Sequence, residues 1–323
     1  MTDVSRRDFV KVGAAGTAGL LLGSRTAAGA APAMPERTLG RTGHKARLFS
    51  LGGQATIEKQ GTHDESIAII NRAIDLGVNY IDTARYGNGI SQTYIGEVMK
   101  TRRKEVFLAT KTRDRTRDGS LKLLEESLRL LQTDRLDLWQ LHNISYTREL
   151  DEIFGKDGAI EALQKARDEK ITRFLGITGH FDPDVLIDGL NRFDFDCILL
   201  ALNPADPHML PFQTNLLPLA NQKGMGIITM KIPARGRLFR QGGITSMKDA
   251  MTYVLSKPVH TVIIGCDNVK QVEENIEIAR SFQPMSADKM AELERLTAGY
   301  AAEASFFKRG AAGFGGGAAD HDN

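Results

Sequence analysis

A (β/α)8 barrel forming one domain is the fold that this 323-residue sequence predicts, and three observations predict it. Eight short apolar runs recur from Leu48 onward, an amphipathic stretch follows each, and no long linker or low-complexity tract interrupts them before the C-terminal tail. A doubly wound sheet is the alternative that the same alternation allows. It expects a glycine-rich phosphate loop after the first strand, and the sequence there reads LGGQ.

Strands covered on both faces read as near-continuous apolar runs, and each run here has that character. LFSLGG (48–53) is the first. Asp64 then stands where a cap is wanted, Ile67, Ile70 and Ile74 share one helical face, Gly77 ends the helix, and VNYID (78–82) is the second strand. A helix near 91–100 leads to EVFLAT (105–110). A helix from Ser120, with Leu121, Leu124, Leu128 and Leu131 at helical spacing, leads to RLDLWQL (135–141). A helix over 157–169 precedes TRFLGIT (172–178), and one after Asp182 precedes DCILLA (196–201). A helix over 212–223 precedes GIITM (226–230), one over 246–255 precedes HTVIIG (260–265), and a final helix starts near 268. The barrel is expected over 36–300, with 301–323 a tail open to disorder.

The first thirty residues are set apart from this pattern. SRRDFVK (5–11) puts two arginines and a lysine ahead of a weakly apolar stretch, Gly13 to Gly23, too short to cross a bilayer as a helix. Ala28, Gly29 and Ala30 then offer a small-residue cleavage site. The segment reads as a twin-arginine signal peptide over 1–30, predicting recognition by that export machinery, a periplasmic or otherwise exported location, and no stable membrane anchor after cleavage. The glycines at 13, 16 and 19 lack the preceding strand that a dinucleotide-binding loop needs.

The chain is formally +2, and the signal segment, with four basic and two acidic residues, carries that excess. The remainder is neutral overall, with both signs interspersed, which argues against nucleic acid as a partner. Two cysteines, Cys197 and Cys266, give neither a disulfide framework nor a C-x-x-C site. No metal-ligating set is expected, since no H-x-H closes the first strand.

A barrel of this kind aims the residues at its C-terminal strand ends toward one point. The first polar residues after the successive runs are Asp82, Lys111, His142, Thr178 with His180, Asn203, Lys231 and finally Cys266. Singly, each is an ordinary cap, solvated charge or structural residue. An acid, an amine and an imidazole on three successive strand ends form a set, and Tyr86 lies four residues beyond Asp82. A phenol beside an ammonium has its anion stabilised and its pKa lowered, with Asp82 holding Lys111 and His142 orienting a carbonyl oxygen. That arrangement suits protonation of a developing alkoxide, and the hydride must come from a cofactor.

These residues, in RTLGRTGHKARLFSLGG, GVNYIDTARYGNG, VFLATK, LDLWQLHN, FLGITGH and VIIGCDNVKQVEEN, resemble the aldo/keto reductases. The resemblance implies NAD(P)H-dependent reduction of a small-molecule aldehyde or ketone on a (β/α)8 barrel. It implies a tetrad of Asp82, Tyr86, Lys111 and His142, with Tyr86 the general acid. It further implies a cofactor site that includes Thr178, His180, Asn203, Met230, Lys231, Glu274 and Asn275, with NADPH the expected cofactor and NADH the alternative. Against the family pattern, the loop from Asp82 to Tyr86 is one residue short, and Leu199, Met230, Gly265 and Gln271 stand where glutamine, tyrosine, lysine and arginine are usual. Met230, Leu238 and Phe306 or Phe307 are expected to line a pocket for apolar or aromatic carbonyls. A noncatalytic cofactor-binding or accessory protein on the same barrel is the competing reading.

Overall fold

The computed structural model describes residues 33–308, so the expected signal peptide and the last part of the tail lie outside the described residues. Ten strands occur among them. The first two, β1 (Glu36–Thr38) and β2 (Lys45–Arg47), form an antiparallel hairpin that the sequence reading did not separate from the barrel.

The eight expected runs become β3 (Phe49–Gly52), β4 (Tyr80–Asp82), β5 (Phe107–Thr112), β6 (Leu136–Leu141), β7 (Thr172–Gly179), β8 (Cys197–Ala201), β9 (Gly226–Met230) and β10 (Thr261–Ile264). They pair in parallel in chain order, and β10 closes on β3 through Val262 opposite Phe49 and Ile264 opposite Leu51. The helices that wrap them are α1 (His63–Asp75), α2 (Ile90–Arg102), α3 (Arg117–Leu131), α4 (Thr147–Phe154), α5 (Ala159–Asp168), α6 (Pro183–Arg192), α7 (Leu216–Gln222), α8 (Met247–Leu255) and α9 (Val269–Arg280). Then come α10 (Ala287–Thr297) and the single turn α11 (Ala301–Ala304).

Side-chain caps account for several helix starts. Thr116, Asp182, Ser246, Asn268 and Ser286 each accept a backbone N–H from the first turn of the helix they precede. In α1, by contrast, Asp64 lies inside the first turn instead of capping it, and the buried stripe is Ile69, Ile70, Ala73 and Ile74, with Ile67 at its edge. The acid still suits that end of the helix, because it faces the positive pole of the dipole.

Two apolar layers result. One lies between strands and helices; the other fills the barrel with Tyr80, Phe107, Leu138, Cys197, Leu199, Ile228 and Ile263. The β1–β2 hairpin plugs the end where the strands begin. Leu39 and Ala46 join the interior layer, His44 stacks on Phe107 at 4.7 Å, and a Cβ on Gly40, at φ +47°, would lie 2.2 Å from the Gly226 amide nitrogen. The opposite end is left open for chemistry.

The tail is ordered further than the sequence suggests. A 3-10 turn over Phe306–Lys308 follows α11, both phenylalanines are buried, and Lys308 donates to the Asp206 carboxylate and to the carbonyls of Met209 and Leu210 at 3.0 and 2.9 Å. The Lys308 and Asp206 side chains are each 1% exposed, so a buried ion pair fastens the end of the described chain beside β8.

Candidate active site

Strand alternation brings the four polar residues together. In β6, Leu138 points into the barrel, so Gln140 and His142 share its face; in β5, Phe107 and Ala109 do so, and Lys111 follows them. Lys111 donates to the Asp82 carboxylate and, at 2.8 Å, to the Thr83 carbonyl. Gln140 Nε2 donates to the other Asp82 oxygen at 3.0 Å. Gln140 is a functional neighbour that sequence reasoning overlooked, although its place two residues before His142 put it on the same inward face.

Tyr86 reaches this pair despite the shortened loop. Its amide donates to the Ala84 carbonyl at 2.7 Å across Arg85, whose φ −73° and ψ 42° make a tight three-residue turn that takes up the missing residue. Gly87, Asn88 and Gly89 then adopt left-handed conformations before α2 starts. A side chain at Gly87 would place its Cβ 2.0 Å from the Glu58 carbonyl oxygen, so only glycine fits there. The Lys111 ammonium lies 5.5 Å from the centre of the Tyr86 ring, and the His142 ring meets that of Tyr86 edge-on at 6.0 Å.

Burial dominates the electrostatics. It pushes the Lys111 ammonium below the ordinary lysine range and the Asp82 carboxyl above the ordinary aspartate range, and their mutual attraction and hydrogen bond offset this in part. Burial, reinforced by the charges of Lys111, His180, Arg113 and Arg115, holds His142 well below its usual value, so the imidazole is neutral.

A cavity of about 1050 Å³ opens beside the tetrad. Asp82 and Tyr86 are on its wall with Leu199, Met230, Lys231, Gly265, Glu274 and Asn275, as are Gln54, Glu58, Arg235, Lys248, Asp267 and Gln271. Gln54 directly follows the LGG run and Glu58 lies four residues further on, a stretch that the sequence reading used to argue against a phosphate loop and a metal site and not as part of the active site.

Other residues expected at the cofactor are engaged elsewhere. Thr178 accepts the Asn143 amide at 2.8 Å, and His180 Nδ1 meets Asn143 Oδ1 at 2.8 Å, so both organise the loop that carries His142 and neither is on the cavity wall. Asn203 does not reach the cavity. Its Nδ2 donates to the Lys231 and Ala304 carbonyls at 3.2 and 3.1 Å, and its Oδ1 accepts the Ala205 amide at 2.8 Å, which fastens the tail to the barrel. Leu238 is fully buried and Phe307 packs edge-on toward His180; neither they nor Phe306 is on the cavity wall, where Phe239 is the phenylalanine, joining Tyr86. Cys266 fills core beside Asn275, where burial pushes its thiol up to about 12.

The family model of the aldo/keto reductase family matches residues 48–246, which span every strand from β3 to β9. The chain belongs to the aldo/keto reductase family. It is an oxidoreductase on the (β/α)8 barrel of that family. Among its relatives, an L-galactose dehydrogenase of Arabidopsis thaliana is 28% identical over 305 residues, covering 80% of this chain and 93% of the plant protein. The holo form of an aldo-keto reductase from Bacillus halodurans superposes with a TM-score of 0.69 at 25% identity, over 81% of this chain and 96% of that one. An aldo-keto reductase from Klebsiella pneumoniae, solved in complex with NADPH, shares the fold at a TM-score of 0.69 and 20% identity, over 82% of this chain and 95% of its own.

Proposed function

We propose that this aldo/keto reductase reduces an aldehyde or ketone to the alcohol, with NADPH as the reductant and NADH the alternative. The observation that carries the reading is the convergence of the Asp82–Lys111 pair, Tyr86 and neutral His142 at the mouth of the barrel, with Asp82 and Tyr86 on the wall of one large cavity. The cavity suits a dinucleotide. Lys231, Arg235 and Lys248 offer cations for the phosphates, Met230 a polarizable surface for a ring, and Gly52, Gly53 and Gly265 a wall without side chains. The NADPH bound by the Klebsiella relative supports the choice of nucleotide.

The nicotinamide, when bound, supplies the hydride that adds to the carbonyl carbon. Tyr86 gives its phenolic proton to the carbonyl oxygen. As the proton leaves, the charge on the phenolate oxygen is met by Lys111, whose ammonium is held in place by Asp82 and the Thr83 carbonyl. His142, neutral, donates one ring N–H toward the same oxygen and fixes its direction. Replacing Tyr86→Phe removes the proton and leaves the ring; kcat/KM for any reduced aldehyde is expected to fall by about a thousandfold or more, while nucleotide affinity followed by cofactor fluorescence stays within a factor of about two. A noncatalytic, cofactor-binding role, which Leu199 and Gly265 on the cavity wall favour, predicts no aldehyde turnover to lose.

Export in the folded state with the nucleotide bound completes the proposal, because SRRDFVK matches a signal for a folded cargo and nicotinamide cofactors are made inside the cell. Fractionation of cells that express Arg6→Lys/Arg7→Lys should find the variant retained in the cytoplasm. Equal periplasmic amounts of variant and wild type would rule the twin-arginine route out.

A further inference from the structure

The turn between β9 and α8 forms part of the cavity wall, where Pro233, Arg235, Gly236 and Phe239 all stand. Left-handed conformations at Ala234, Arg235, Gly236 and Gly242 bend its backbone. Within the turn, the Gly236 amide donates to the Pro233 carbonyl at 2.8 Å and the Arg240 amide to the Ile244 carbonyl at 2.9 Å.

Tyr300 reaches this turn from far along the chain, just ahead of α11. Its phenol donates to the Leu238 carbonyl and accepts the Ile244 amide, both at 3.0 Å, so one hydroxyl fills both of its roles. These bonds bracket Phe239, which bridges to Ile244 across the turn. Both bonds are buried, so losing the phenol leaves a carbonyl and an amide that water does not readily satisfy. The ring is closely fitted as well. A Cβ on Gly243 would lie 2.5 Å from the phenolic oxygen, and the Arg240 guanidinium sits 3.8 Å from the ring centre and donates to Glu303 at 2.7 Å. The segment that follows Tyr300 is in turn fixed to the barrel, by Asn203 at the Ala304 carbonyl and by the Lys308–Asp206 pair.

We infer that Tyr300 is a positioning residue for the nucleotide: its phenol holds the 233–244 turn, Phe239 included, as a fixed wall of the cavity and so sets how slowly the nucleotide leaves. The inference rests on the dinucleotide reading of the cavity and adds to it a residue that is not on the cavity wall. A wall already held in place does not have to be ordered when the nucleotide arrives, so binding loses less entropy. A wall free to swing lets the ligand out sooner.

Tyr300→Phe keeps the ring and removes both bonds. Release of NADPH and of NADH from the full chain is followed by stopped-flow cofactor fluorescence, beside the equilibrium Kd and the urea midpoint. Tyr253→Phe is the control, because that phenol also bonds within the fold, to Gln213 and Glu294, and none of these three residues is on the cavity wall. Tyr300→Phe is expected to quicken release and raise Kd by about tenfold, whereas Tyr253→Phe stays within about twofold of wild type in both. In turnover the nucleotide KM should rise with Tyr300→Phe, while the KM of an accepted aldehyde at saturating nucleotide holds. Gly243→Ala drives a methyl against the phenol from the turn's side and should also quicken release, which keeps the test open if Tyr300→Phe does not fold. Release unchanged in both turn variants, or quickened equally in Tyr253→Phe, overturns the inference and leaves the dinucleotide reading standing. Wild type that binds neither nucleotide fails that reading, and the inference with it.

Discussion

At the scale of single residues the site turns on one carboxylate. Asp82 accepts from both Lys111 and Gln140, and it is the counter-charge that keeps an ammonium tolerable in a place where the Lys111 side chain is 1% exposed. Asp82→Asn keeps the shape and removes the charge. A buried pair broken on one side leaves the other ion uncompensated, at a cost of about 3–5 kcal/mol, which urea denaturation would read. The kinetic consequence has a definite sign. Burial already lowers the Lys111 pKa and Asp82 is what raises it back, so removing Asp82 lowers it further. The alkaline limb of kcat/KM, where Lys111 loses its proton, is therefore expected to move to lower pH in the variant. A limb that stays in place, in a folded variant, would show that the ammonium does not support the acid.

Elements were legible where burial writes itself into composition, and less so where hydrogen bonds decide. The eight barrel strands stand out because both their faces are covered, and every expected run became a strand of the closed barrel. The β1–β2 hairpin has strands of only three residues with exposed positions in each, too short for a pattern. α4 was passed over for a similar reason, its eight residues burying only Leu150 and Ile153. The same limit explains the site. Asp82, Lys111 and His142 were readable because strand ends converge by geometry alone. His180 and Asn203 also follow strand ends and Thr178 lies near the end of β7, yet what they bond to, the Asn143 loop and the carbonyls of Lys231 and Ala304, comes from segments up to 101 residues away. The three-residue turn that returns Tyr86 to the site was equally hidden, since a one-residue deletion does not announce the φ and ψ that absorb it.

For the molecule as a whole, the histidines set the response to acid. His142, His44 and His260 are all held below the usual histidine value, with burial the largest cause in each. His44 Nε2 and His142 Nδ1 are buried without a hydrogen-bond partner, and His260 Nδ1 accepts the Ile227 amide at 2.9 Å, a bond that a proton on that nitrogen would break. A group whose folded pKa lies below its unfolded value takes its proton in the unfolded chain first. Stability is therefore at its full value above the unfolded histidine pKa of about 6.5 and is lost as the pH falls from there toward the folded values, by at most about 1.4 kcal/mol per pH unit for each histidine. Two groups oppose this: His63, raised by Glu97 and Asp64 but exposed and screened, and Asp82, whose pKa burial raises, so that the folded chain takes up its proton first; the three buried imidazoles outnumber them. The free energy of unfolding in urea is thus expected to fall between pH 7.5 and 5.5, and His142→Gln, which cannot titrate, should flatten that slope. A stability that is level or rises over the same interval would mean that the buried imidazoles carry protons in the folded state, and His142 would then enter the reaction as a cation.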